Sequence, residues 1–225
     1  AETGLATGFK HTGSMTVALT EERAEEIGRQ AAMARAFGVE VTEIETAEVA
    51  KRYPHLNTDG VVSAVYLPLD GQGDPGNIAM SLAKGAKMQG AKIHEGVAVT
   101  SLQKQGRRVT GVEWQAEDGS AGTIACEHIV NCGGMWAREV GLMAGTNVPL
   151  QACEHFYIVT DKIAGLGALP VLRVPDECAY YKEDAGSMLL GAFEPVAKPW
   201  ALGGIPKDFE FDQLPEDFDH FEPIL

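Results

Sequence analysis

Three stretches carry residue types that could do chemistry. The first is Ile129 to Val140, IVNCGGMWAREV. An apolar run ends in Cys132-Gly133-Gly134, and a helix is predicted to follow at once, from Trp136 to about Ala144. Glycines let the backbone approach a ligand closely, and a helix N-terminus aims amides at it. The spacing of this turn is not G-x-G-x-x-G, and a glycine turn between strand and helix more often serves tight packing. The second stretch is Glu154-His155-Phe156-Tyr157. A lone strand histidine is usually structural, but imidazole exchanges protons near neutral pH. The third is LPVLRVPDECAYYKED, with Arg173, Tyr180 and Tyr181. Neighbouring strand positions point to opposite faces, so only one of the two tyrosines can face a ligand. Arg173 could pair with a carboxylate, although with acids so plentiful a salt bridge is its expected role. Val99, in Val97-Ala98-Val99-Thr100, reads by itself as an ordinary strand valine. Trp136 would serve equally well to pack its helix onto a sheet. His11 and His94 read as surface or core histidines, and Asp70 and Asp74 as turn and cap residues.

These residues need elements to place them. Gly13–Leu19 reads as a strand, followed by a helix with Thr20 as N-cap, Glu21 and Glu22 in its first turn and Gly38 as its stop. Val39–Ile44 is a short strand. Thr46 is predicted to cap a small helix that ends before Pro54. Val61–Leu69 is a strand. Asp74 as N-cap with Pro75 at the first helical position starts a helix that stops at Gly90. Its Ala79, Ala83, Gly85 and Ala86 suggest close packing against a sheet. Strands are then predicted at Ala91–His94, Val97–Gln103, Val109–Gln115 and Thr123–Asn131, the last ending in Ile129-Val130. From Pro149 the pattern changes to strands at 155–160, 170–174, 179–182 and 187–193. After Phe193 comes a proline-rich, acidic connector.

Composition bounds the possibilities. The chain has 225 residues, 45% apolar and 22% charged, ordinary values for a globular protein with a real core. No apolar run approaches the roughly 18 residues a membrane helix needs. The net charge of −14 would repel phosphate backbones and anionic lipid, so neither nucleic acid nor membrane is an expected partner. The four cysteines, Cys126, Cys132, Cys153 and Cys178, form no CxxC pair and no metal cluster is expected; they are read as buried, reduced thiols. The abrupt start and the apolar Phe218, Phe221, Ile224 and Leu225 at the end are read as marks of a piece of a longer protein.

The blocks TGFKHTGSM, YLPLDGQGDPGNIAMSLAKGA, IVNCGGMWAREVG, VPLQACEHFYIVT and LPVLRVPDECAYYKED, taken in order, resemble the dimethylglycine and sarcosine dehydrogenases, members of the D-amino-acid-oxidase-like flavoproteins. They cover nearly the whole chain. The fold this implies is α+β or α/β: part of a glutathione-reductase-type FAD-binding domain interleaved with a β-sheet substrate domain. By that resemblance residues 1–67 are the first part of the substrate domain, 68–148 an internal segment of the FAD domain, and 149–225 the second part of the substrate domain.

The resemblance also implies roles. Val99 would offer its backbone to the adenine of FAD, and Cys132, Gly133, Gly134 and Trp136 would form the small-residue turn beside the flavin. Cys132-Gly133 departs from the family's commoner Ala-Ala or Cys-Ala but keeps the site small. His155 matches the active-site histidine, and Tyr180 is preferred over Tyr181 as the catalytic tyrosine. The whole protein would oxidise a small N-methylated amino acid by hydride transfer to FAD, with water or folate taking up the one-carbon unit and the electron acceptor unspecified. The alternative is a regulatory paralogue that kept the fold and lost the reaction. The family's dinucleotide loop, flavin-attaching histidine, final FAD-domain segment and folate-binding region are expected outside this chain. The chain alone is therefore expected to be inactive and not to retain FAD. Its compartment is expected to be the cytoplasm, or the mitochondrial matrix in a eukaryote.

Overall fold

A computed structural model describes residues 2–225. Along the chain come β1 (Ser14–Ala18), α1 (Glu21–Ala36), β2 (Thr42–Ile44), α2 (Thr46–Arg52), β3 (Ser63–Leu67) and α3 (Pro75–Met88). Then follow β4 (Val97–Gln105), β5 (Arg108–Ala116), β6 (Ala121–Ala125) and α4 (Ala137–Ala144). The last part holds β7 (Tyr157–Val159), β8 (Val171–Val174), β9 (Ala179–Asp184), β10 (Ser187–Ala192) and a single helical turn, α5 (Phe218–Phe221). Internal contacts gather these into two units. The first takes residues 1–86, 155–197 and 216–225, the second 87–154 and 198–215. Among the described residues no helix is long and apolar enough to cross a membrane.

The first unit is built on a seven-stranded sheet in the order β2-β3-β1-β8-β9-β10-β7. All neighbours are antiparallel except β1 and β8, which run parallel. Strand alternation sends Met15, Val17, Ala64, Leu172 and Val174 to one face, where they meet Val49 and Tyr53 of the α2 region and Leu166 and Leu169 of a loop. On the other face Ala18 and Val65 meet Ile27 and Ala31 of α1. Helix α1 starts as its sequence demands: Thr20 accepts the Arg23 amide at 3.2 Å. Asp176, beyond β8, then accepts from the Leu19 amide at 2.9 Å and from Arg23 Nε at 3.2 Å, which ties the helix start to β8. The hairpin between β9 and β10 turns on Ala185 and Gly186, both at positive φ (51° and 86°), the pattern of a tight primed turn.

The second unit holds the three-stranded antiparallel sheet β4-β5-β6 and α4. Helix α4 ends at Gly145 in the left-handed region, as a glycine after a helix allows. None of the buried hydrophobic residues of the described chain belongs to this unit.

Several expectations need correction. Ala91–His94 and Cys126–Asn131 are not strands. A strand exists only where another strand takes up its amides and carbonyls; among the described residues Ala91–His94 has no strand partner, and beyond Cys126, whose amide bonds the Thr110 carbonyl of β5 at 3.0 Å, neither has 127–131. Val130 is accordingly 82% exposed. Helix α3 buries no residue and is not packed under a sheet. It meets the N-terminal segment instead, with Ser81 bonded to Thr3 at 2.8 Å. Glu45, not Thr46, is the N-cap residue of α2, and the Thr46 hydroxyl donates to the Val61 carbonyl at 3.5 Å. The cysteines are free, but Cys132 and Cys153 are exposed and the other two only half-buried. At the C-terminal end Phe221 is buried while Phe218 and Leu225 are exposed.

The core also contains a titrating group. Tyr53 is 3% exposed, its hydroxyl 3.4 Å from Met188 Sδ, and burial, with a smaller contribution from Tyr181, pushes its phenol up to about 12. The folded form is therefore fully favoured while an unfolded phenol, near ~10, is still neutral. That contribution is lost as pH rises from there through the folded value, by at most ~1.4 kcal/mol per pH unit. Tyr53→Phe should leave stability near neutral pH almost unchanged and flatten its decline between about pH 10 and 12, as read by urea denaturation across that range; an unchanged alkaline slope would count against it.

Candidate active site

The sheet register assembles the candidate residues of the first unit. Thr16 on β1 pairs with Arg173 on β8, Arg173 with Tyr180 on β9, Tyr180 with Gly191 on β10, and Gly191 with Tyr157 on β7. Paired residues share a face, so these five lie in one row across one side of the sheet. Helix α1 covers the β1–β3 end of that side through Ala18 and Val65. At the other end the row stays open, with Arg173, Phe193 and Tyr157 exposed. Tyr181, one residue along, lies on the opposite face against Leu172 and Leu190 and packs on the core cluster of Met15 and Leu172. The alternation argument thus separates the two tyrosines as expected.

His155, just before β7, sits beside Tyr180. Tyr180 Oη and His155 Nε2 are 3.4 Å apart, the long end of a hydrogen bond, with the donor set by the imidazole tautomer. The two rings are nearly parallel, 16° apart, at 6.1 Å. Phe193 closes a triangle, with ring centroids 5.1 Å from His155 and 5.4 Å from Tyr180. The Arg173 guanidinium lies 5.8 Å from the Phe193 ring centre. Contrary to the expected salt bridge, Arg173 makes no ion pair among the described residues. Asp176, three residues on, is held by Arg23 instead.

Burial raises the Tyr180 phenol above its ordinary value, and the neighbouring Tyr157 and Glu194 push it in the same direction. A raised phenol stays neutral and keeps its proton to donate. Glu194 contributes a buried carboxylate oxygen without a hydrogen-bond partner. The arrangement therefore offers an aromatic wall, one neutral hydroxyl, one imidazole and one uncommitted guanidinium. Such a set can hold an anion at one point and an amine at another. A cavity of about 460 Å³ lies along β7 and is lined by Phe156 to Val159 with Glu216, Asp217, Phe218 and Phe221. It does not include His155 or Tyr180, and the side-chain chemistry argues for the open sheet face over that hollow.

The other candidates lie in the second unit. Val99 pairs with Trp114 and is 41% exposed. The register slips between Val99 and Ser101, a bulge of the kind that frees local backbone groups. In the turn, Asn131 accepts from the Gly133 amide at 3.1 Å and donates to the Ala137 carbonyl at 2.8 Å, which holds the loop against the start of α4. A Cβ at Gly133 would press on Ala137 at 3.3 Å. Gly134 has φ +54° and nothing within 4 Å of where a Cβ would stand. Cys132 and Trp136 are exposed. At Gly134 the backbone is therefore bare, with the exposed Cys132 and Trp136 beside it. The structure brings His155 and Tyr180 together in one unit and Val99, Cys132, Gly133, Gly134 and Trp136 into the other.

The sequence reading missed Phe193 and Gly191; the signal for the second was a glycine inside an otherwise apolar strand, SMLLGAF. It also passed over a G-x-G-x-x-G spacing, Gly71, Gly73 and Gly76, between β3 and α3. The structure gives that spacing another use. A Cβ at Gly71 would overlap the Lys10 carbonyl oxygen, and one at Gly73 would come within 2.7 Å of Ile78 Cδ1. Lys10 bridges to Gln72 through its backbone. The space a phosphate would need is filled by the N-terminal segment.

The chain belongs to the FAD dependent oxidoreductase family, whose profile matches residues 1–225. It is 34% identical over 225 residues to human mitochondrial sarcosine dehydrogenase, covering 98% of this chain and 24% of that protein. It is 34% identical to rat mitochondrial dimethylglycine dehydrogenase, covering 97% and 26%. It is also 34% identical to the mouse mitochondrial pyruvate dehydrogenase phosphatase regulatory subunit, covering 100% and 25%. The chain thus spans about a quarter of the length of these curated relatives. Among solved structures, L-proline dehydrogenase from P. horikoshii superposes with a TM-score of 0.77 at 23% identity, over 99% of this chain and 56% of that one, a likeness of fold.

The Tyr180 environment has a measurable consequence. In a titration of ring-labelled tyrosines, the resonance that disappears in Tyr180→Phe should have its midpoint above the ordinary phenol value of about 10. A midpoint at or below that value would contradict the burial described here.

Proposed function

We propose that this chain is the amine-facing part of a flavin-dependent oxidoreductase that oxidises a small N-methylated amino acid of the dimethylglycine or sarcosine type. The observation that carries this reading is the His155–Tyr180 pair on an open sheet face, with Arg173 beside it lacking a protein carboxylate. The family and the relatives named above support it.

Arg173 would hold the substrate carboxylate in a charge-assisted bond. His155 and Tyr180 would hold the amine nitrogen and keep its lone pair free of a proton, since an ammonium has no electrons to push. Phe193 would exclude water from their side of the substrate. Val99 and the Cys132–Trp136 turn would hold FAD, which when bound supplies the two-electron acceptor for the C–H bond being broken. The one-carbon unit would leave to water or to a folate. The expected compartment remains the cytoplasm, or the mitochondrial matrix in a eukaryote. The reading of a regulatory paralogue without activity draws its support from the equal identity to the mouse regulatory subunit; the presence of both His155 and Tyr180 favours the enzyme.

The deciding experiment is anaerobic mixing of the full-length, flavin-loaded protein with dimethylglycine, sarcosine and related N-methyl amines, following the flavin band. Bleaching by at least one is expected, and no bleaching by any would establish the regulatory reading. His155→Ala should slow the reductive step by about 10²-fold or more. Arg173→Met should raise KM for carboxylate-bearing amines by about 10- to 100-fold with little change in kcat, the loss of one charged hydrogen-bonded contact. An unchanged KM would remove Arg173 from the site. Expressed by itself, the 1–225 stretch should retain no stoichiometric FAD after desalting, and a yellow one-to-one complex would refute that.

A further inference from the structure

We propose that Gly191 is a positioning residue for the His155–Tyr180 pair: the missing side chain in β10 is what lets the Tyr180 phenol reach the imidazole. What the pair does rests on the function proposed above; how it is held does not.

The geometry makes the requirement plain. Tyr180 lies on β9 and His155 leads into β7, with β10 between them. Neighbouring strands are about 4.8 Å apart, so the phenol and the imidazole together must bridge roughly 10 Å of sheet. Side chains ordinarily stand perpendicular to a sheet. A tyrosine standing upright on β9 would hold its hydroxyl well above the face and short of β7. To meet His155 Nε2 at 3.4 Å it must lie down across β10. The residue it crosses is its register partner, Gly191. A Cβ there would overlap Cζ, Cε1 and Oη of Tyr180. Any residue but glycine occupies the place where the phenol now lies.

Backbone conformation does not demand this glycine, because Gly191 is not among the residues at positive φ. The three atoms nearest to such a Cβ all belong to the far end of one rotatable side chain. An alanine should therefore leave β10 in place and expel the ring. The plainer account is packing alone, with an aromatic ring covering a strand glycine. The second unit contains that case: Trp114 lies over its register partner Gly122, and a Cβ there would come within 2.8 Å of the indole. The two differ in what the ring touches at its far end. At Gly191 the ring delivers a neutral phenol to an imidazole.

The test uses the full-length flavin-loaded protein with Gly191→Ala, Tyr180→Phe and the double variant. The first readout is the His155 ring 13C resonance in histidine-labelled protein, assigned by its loss in His155→Gln. It needs no substrate, so it decides the positioning claim even if no amine reduces the flavin. Gly191→Ala should move this resonance as Tyr180→Phe does. An unmoved resonance overturns the proposal. The second readout is the limiting rate of flavin reduction: each single variant should lose about tenfold or more, and the double should lose no more than the worse single, since both remove one contact. Losses that multiply would mean the glycine acts through the fold, and would overturn it too. If Gly191→Ala fails to fold, Tyr180→Ala removes the ring that an added methyl would strike. In that background Gly191→Ala should restore a melting temperature equal to that of Tyr180→Ala, and continued failure to fold would refute the idea.

Discussion

The architecture of the first unit depends on one pairing, β1 against β8. Ser14, Met15 and Thr16 run parallel to Val171, Leu172 and Arg173. It is the only parallel pair in the sheet, and it joins strands roughly 150 residues apart in sequence. Without it β2-β3-β1 and β8-β9-β10-β7 would be two separate ribbons. The pairing is held from both sides. Met15 and Val17 share a buried cluster with Leu172 and Val174, and Asp176 grips the Leu19 amide and Arg23 as the chain leaves β8. The chain between these strands includes most of the second unit. Closing a long loop costs little more than closing a medium one, about 0.6 kcal/mol for each doubling of length. A sheet whose ends are clamped so firmly can therefore carry a large insertion without losing its register.

That register determines the chemistry available on the face. Thr16, Arg173, Tyr180, Gly191 and Tyr157 form one row only because each strand pair is set as it is. A slip of one residue between β8 and β9 would put Tyr181 on the open face and Tyr180 in the core. The core forbids it: Tyr181 fits beside Leu172 and Leu190, and Ala179, at the same parity, is buried against Val174. Burial on one side of the sheet thus fixes which phenol is presented on the other.

The parts legible in the sequence were those governed by local rules. Thr20 and Asp74 as caps and Gly38 and Gly90 as stops all rest on a few neighbouring residues. The opposed tyrosines follow from a period of two. What the sequence could not disclose depended on distant chain. Ala91–His94 and Ile129-Val130 read as strands, yet a strand is a relation between two segments, and among the described residues no strand pairs with them. Arg173 was expected in a salt bridge because acids are abundant, but composition does not say which acids come within reach. The G-x-G-x-x-G at Gly71 matched a pattern whose meaning depends on space, and Lys10 fills the space.

Gly191 shows the same division at the scale of one atom. A glycine in SMLLGAF weakens a strand by losing both packing and conformational restriction, at a cost of roughly 0.5–1 kcal/mol against alanine. Local propensity therefore argues against it. Its presence makes sense only once β9 lies beside β10 and the Tyr180 ring is seen lying across it, which recovers part of the loss by covering the bare backbone. The same covering raises the phenol by burial and keeps it protonated beside His155. A residue unfavourable to its own strand can persist because what it permits lies two strands away, and the sheet that bridges that distance is fixed by the pairing of β1 with β8.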